Sequence, residues 1–291
     1  MELTHKREVV NTNLVLAKKI LEITKEVPNL IFQKKYQINQ SSLTNTFSFE
    51  DNSILGIYLS LLDKVDSILT LYESHKSGGC ESIARSILEA KVYLFYILKQ
   101  PKHIAQKAEA YSVARKVDLF NLYRTLTSND NVGKMLRSFL GIKHDEIIKK
   151  TTEKVFLNQE TECRKKFRGL IKVKESEKYP KWYDGDGQTS SFKKLCTKVD
   201  LGHEYELLYS IFSADAHAND GADMFNFQPT GVNDIYELTV KSKDSALVII
   251  FIIDTLKVIT KKVLKYYKMD KEMNTYVIKF DNTYRILRKF K

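Results

Sequence analysis

Apolar positions recur at helical spacing through most of this chain. Over residues 3–27, Val9, Leu14, Leu16, Ile20, Leu21 and Ile23 form one stripe, predicting a helix that Pro28 interrupts. The polar run 37–53 reads as a connection, and Asp51, Asn52 or Ser53 offers an N-cap for a helix ending near residue 74. Gly78-Gly79 separates it from a third helix, 80–100, which Pro101 closes. Further helices are predicted over 102–127 and 132–140, then a charged, exposed helix or helical pair over 144–178. Residues 179–190, rich in Gly and Asp, form the clearest loop. Helices near 190–199 and 203–218 follow, then a connection, 219–235, and a long helix, 241–268. The tail permits a strand pair around Asp281-Asn282 or a closing helix. The expected architecture is an all-α multi-helix bundle, 51–268. An N-terminal helical extension and connection, 1–50, precedes it, and a tail, 269–291, packs on it.

Composition agrees with long helices, since only 4 prolines and 11 glycines punctuate 291 residues. The most apolar run, residues 246–253, stops at Asp254, well short of the ~20 residues that cross a bilayer. It reads as a core helix of a soluble protein that does not enter a membrane. Cys80, Cys163 and Cys196 lie far apart with no C-x-x-C spacing, which argues against disulfides and zinc and for the reducing cytoplasm. The first ten residues carry no apolar signal core. The net charge of +11 favours a polyanion such as RNA or a nucleotide. The lysines are scattered, however, and lysine-rich chains also occur without any nucleic-acid role.

Candidate chemistry gathers in two helices. Between Ile83 and Leu98 the only charged residues are Arg85, Glu89 and Lys91, so this helix is expected to be interior. Arg85 and Glu89 stand at i and i+4, predicting a buried ion pair. One carboxylate does not saturate five guanidinium donors, so a further acceptor or a ligand is expected, with Tyr93 and Tyr96 along the same cavity. In the second helix Tyr209, Ser213 and His217 lie at i, i+4 and i+8, a polar stripe flanked by Ala214, Ala216 and Ala218. His217 near a helix end is suited either to proton transfer or to capping. Asp215, Asp220 and Asp223 are chemically suited to a metal, but the spacing is poor and no second histidine is near, so no metal is expected. Trp182 offers either an aromatic platform for a base or a packing group. No phosphate-binding glycine loop, nucleophile elbow or H-E-x-x-H motif occurs, and no cofactor is expected.

Three pieces in order carry a resemblance: the helix R-S-I-L-E-A-K-V-Y-L-F-Y-I-L, the loop P-K-W-Y, and Y-x-x-x-S-x-x-x-H from Tyr209 to His217. The chain resembles a bacterial all-helical family of unknown function over roughly residues 50–268. That resemblance implies that Arg85, Glu89, Ser213 and His217 share one site. More distantly it resembles the HEPN superfamily, whose members include metal-independent ribonucleases of toxin and phage-defence systems. Their usual Arg and His stand close together on one helix, whereas no Arg lies between Arg168 and Arg285 here. Arg85 would act from another helix.

Two readings follow. In the first, His217 is the general acid or base of an RNA-cleaving enzyme and Arg85 stabilises the phosphorane, with Glu89 orienting Arg85. Ser213, Tyr209, Tyr93 and Trp182 would bind substrate, and the HEPN analogy implies a homodimer. In the second, the chain is a sensor or partner-binding module of a defence system, and Arg85, Glu89 and His217 form a sealed polar network. An open site around Arg85 favours the first and a sealed one the second.

Overall fold

A computed structural model describes residues 2–39, 47–171, 181–185, 187–216, 225–229, 236–240 and 246–288. Helix α1 spans Glu2–Asn39, α2 Phe49–Glu73 and α3 Cys80–Leu98. A 3-10 turn, Pro101–His103, leads into α4 (Ile104–Thr127), followed by α5 (Asn131–Leu140), α6 (His144–Thr152), α7 (Lys154–Ile171) and α8 (Phe192–Lys198). The short α9 (Gly202–Glu204) runs into a π-helical turn, Tyr205–Tyr209, and then α10 (Ser210–Ala216). Strands β1 (Phe225–Pro229) and β2 (Tyr236–Val240) pair antiparallel, β1 inside the connection expected over 219–235 and β2 between it and the expected helix. Helices α11 (Ala246–Tyr266) and α12 (Asp270–Arg288) end the fold. The architecture is therefore all-α, with one small strand pair among the described residues.

The chain divides into two compact units, one of residues 1–99 with 199–291 and one of residues 100–198. The breaks fall there rather than near residues 50 and 268. In the first unit α1 is no appendage, because it packs on α2, α11 and α12 and buries Leu16, Ala17, Ile20 and Ile31. It also continues through Pro28, where termination was expected. A proline inside a helix removes one backbone bond, and here the lost bond is outweighed by burial of Val27 and Ile31 on either side. Thr24, one turn earlier, gives its hydroxyl to the Ile20 carbonyl at 2.7 Å and meets the Tyr276 hydroxyl at 3.2 Å. Tyr58 and Thr260 make a second buried hydroxyl pair at 3.0 Å, tying α2 to α11. The tail is a helix and not a strand pair: Tyr276 and Phe280, at i and i+4, are buried on one face.

Helix α2 is capped one turn earlier than expected. Ser48 accepts from the Asp51 amide, and the Asp51 carboxylate accepts from the Ser48 amide at 2.8 Å, which closes a capping box. Asp51 is thus the third residue of the helix rather than its cap. The predicted 144–178 segment is indeed a helical pair in its described part, with a break at Glu153 between α6 and α7.

In the second unit α4 packs against α5, α6 and α7, and its seam with α7 buries Ala110, Val113, Val117, Phe167 and Ile171. This unit holds 22 Lys and Arg against 12 Asp and Glu, so a net +10 of the chain's +11 resides between residues 100 and 198. Glu160, buried, is clamped by Arg124 and by Arg164, and the two guanidinium groups hold its carboxyl below the usual range against the upward push of burial. Gly133 lets α5 approach the end of α4: a Cβ there would collide with the Ser128 and Thr125 carbonyl oxygens. Gly133→Ala is expected to cost about 1–3 kcal/mol by overpacking against backbone that has no room to yield, read as a lower thermal midpoint of Trp182 fluorescence.

Candidate functional site

The first unit brings together three of the residues singled out in the sequence. Arg85 and Glu89 do share a face of α3, with Nε and Oε1 3.3 Å apart. Across from them the π-helical turn delivers Tyr209, whose hydroxyl accepts from Arg85 Nη2 at 2.6 Å. The guanidinium carbon also lies 4.6 Å from the Tyr209 ring centre. Tyr205 stacks on Tyr209 at 4.7 Å and nearly parallel, fixing the ring. A π turn holds one more residue than an α turn, so 203–218 is not the regular helix expected, and Tyr209 and Ser213 are set by that shift.

The pair is not buried as expected. The Arg85 and Glu89 side chains retain 23% and 33% of their exposure, so solvent reaches both. Burial pushes the Tyr209 hydroxyl above its ordinary pKa, Arg85 opposing and Glu89 adding, so the phenol keeps its proton at neutral pH.

The Ser213 hydroxyl is buried and has no hydrogen-bond partner among the described residues. Tyr93 is half-buried on α3, and Tyr96 is buried. Trp182 lies in the second unit, half-buried against the Val113–Phe167 cluster, edge-on to Tyr111 at 5.2 Å. The packing alternative describes that contact. His217 lies outside the described residues, as do Asp220 and Asp223.

The buried charge of α3 is Lys91, at 1% exposure. Its ammonium donates to both Glu204 oxygens at 2.9 Å and to Asp254 at 3.3 Å. Sequence reasoning placed burial on Arg85 instead. The signal was present: Lys91 has Ile87, Leu88, Leu94 and Phe95 at three and four residues, whereas Arg85 has Glu81 and Glu89 along its row. Glu204 stands one residue before the π turn, so Lys91 ties that turn to the core of α3 and thereby sets where Tyr209 meets Arg85.

Among the described residues, no group of three or more His, Cys, Asp or Glu side chains is placed to hold a metal ion, and no helix is long and apolar enough to cross a membrane. Residues 51–230 match the model of a family of unknown function, DUF5677. The chain belongs to this family. The matched span takes in all but the first two residues of α2, then α3, the whole second unit and the π turn, and so includes Arg85, Glu89 and Tyr209. No curated protein and no solved structure matches the chain.

Proposed function

We propose that the Arg85–Glu89–Tyr209 cluster is the phosphate-handling half of a metal-independent, HEPN-like ribonuclease of a bacterial phage-defence or toxin system. The observation that carries it is an arginine held on two sides yet open to solvent. Glu89 and Tyr209 fix the guanidinium while 23% of the side chain stays exposed. A sealed network would have buried it, as Lys91 is buried. An oriented guanidinium suits the developing charge of a phosphorane, because its dipoles need no rearrangement as the charge forms. Tyr209 and Ser213 would hold non-bridging phosphate oxygens. His217, four residues beyond Ser213, would take the ribose 2′-hydroxyl proton as its oxygen attacks phosphorus. The phosphorus–5′-oxygen bond then breaks, and the leaving oxygen takes a proton from the imidazolium.

The test is incubation of the full chain with total RNA and with tRNA, with and without EDTA, beside Arg85→Ala and His217→Ala. Cleavage that survives EDTA and falls about a hundredfold or more in both variants is the expected result. Cleavage that EDTA abolishes, or that either variant retains in full, overturns the reading. Arg85→Lys separates roles further: it keeps the charge but loses the fork, so the rate should stay well below the parent. A second reading, a non-enzymatic partner-binding module, is favoured by one observation, the outward-facing apolar surface of α5.

A further inference from the structure

Helix α5 is built inside out. Its apolar residues Val132, Met135, Phe139 and Leu140 follow the i, i+3, i+7, i+8 pattern of a core-facing stripe. Yet they are 58%, 72%, 86% and 49% exposed. The buried face is Gly133 and Arg137. Gly133 permits the close approach to α4, and Arg137 donates to the carbonyls of Leu126 at 2.5 Å and Ser128 at 2.7 Å. Arg137 thus satisfies backbone acceptors at the α4 end that otherwise lack partners. Both ends of α5 are also fixed, by the Asp130 cap on the Gly133 amide and by Gly141 in the left-handed region. The helix is therefore held firmly with its apolar side outward, and an exposed stripe of this kind marks an interaction surface.

We infer that this stripe docks an amphipathic helix of an acidic protein partner. Met and Phe are residue types enriched at the centres of protein interfaces, and a ten-residue helix face matches helix-on-helix recognition. Charge selects the partner. The unit that presents α5 carries net +10, so long-range attraction draws an acidic protein, and a second copy, equally basic, is repelled. The rim beyond the helix is mixed, with exposed Lys134 and Lys143 beside exposed Asp145 and Glu146. Such a rim complements the polar groups of both signs that border an amphipathic helix of a protein, whereas an anionic lipid surface offers one sign alone and leaves Asp145 and Glu146 without a complement. The inference does not depend on the ribonuclease reading.

The probe is a synthetic helical peptide with Leu at i, i+3, i+4 and i+7 and Glu elsewhere, compared with its Lys counterpart, by fluorescence anisotropy on the full chain. The Glu peptide is expected to bind at least about tenfold more tightly, with affinity falling as salt rises. Met135→Asp and Phe139→Asp should each weaken it about tenfold or more without moving the thermal midpoint, since both side chains face solvent. Equal binding of the two peptides, or binding that neither variant weakens, overturns the inference. So does a concentration-dependent dimer that Phe139→Asp abolishes, which assigns the face to a second copy. Co-sedimentation with phosphatidylglycerol vesicles in preference to the peptide assigns it to a membrane and likewise overturns it. RNA cleavage is read separately, so either proposal fails without the other.

Discussion

Replacing Lys91 with alanine is expected to destabilise the first unit by about 3–5 kcal/mol, the range for breaking a buried ion pair from one side. The ammonium is 1% exposed and its main partner, Glu204, 15% exposed. Without Lys91 both Glu204 oxygens lose their ammonium donor in a poorly hydrated place. Asp254 contributes less, because at 59% exposure water replaces the lysine. The comparison that isolates the cause is Lys91→Met with Glu204→Gln. Removing both charges together is expected to cost markedly less than Lys91→Met alone, since no orphaned carboxylate remains. The measurement is urea unfolding followed by far-UV circular dichroism. Trp182, the only tryptophan, belongs to the second unit, so its fluorescence reports that unit independently. A functional consequence follows from position: loosening Glu204 frees the π turn, so Tyr209 should lose its register with Arg85 before the unit unfolds.

The period of apolar residues made the helices legible, because burial of one face imposes the same spacing wherever a helix packs. Chain punctuation was read less well. Pro28 ends a helix in isolation, but tertiary burial of Val27 and Ile31 decides otherwise, and that burial involves α11 and α12, more than two hundred residues away. The pairing of Arg85 with Glu89 was legible because it is local. Its meeting with Tyr209 was expected only in outline, since 124 residues separate them and a π turn sets the phase. The division into units was hidden for a different reason. Neither Gln100-Pro101 nor Lys198-Val199 is a flexible linker in composition, so the break appears only when contacts are known. The charge asymmetry between the units was hidden with it.

The second large effect is expected at Asp51, and it carries a pH signature. Asp51 is 1% exposed, accepts from Lys35 at 2.6 Å and from the Ser48 amide at 2.8 Å, and closes the α2 capping box. Burial alone would raise its pKa, but Lys35, the Ser48 amide and Tyr267 outweigh burial and hold it below the ordinary value. Its Oδ1 and the Tyr267 hydroxyl are both buried and outside strict hydrogen-bond geometry, yet they remain near enough to influence each other. Because the folded-state pKa is depressed, the stabilisation is fully present above the unfolded-state pKa and is lost as pH falls through the folded value. Asp51→Asn should therefore cost about 1.5–3 kcal/mol at neutral pH, the range for a hydrogen bond to a charged group. The gap between parent and variant should stay level down to about pH 5 and close progressively below about pH 4. A gap that is the same at pH 3 and pH 7 (about four units apart) would show that the loss is shape and not charge. Tyrosine titration gives a second reading. Tyr266 is pushed up to about 12 by burial first and then by Asp51 and Glu50. Removing the Asp51 charge should bring its ionisation to lower pH, while burial keeps it above the ordinary tyrosine value. A Tyr266 titration unmoved by Asp51→Asn would place its shift on burial and Glu50 alone.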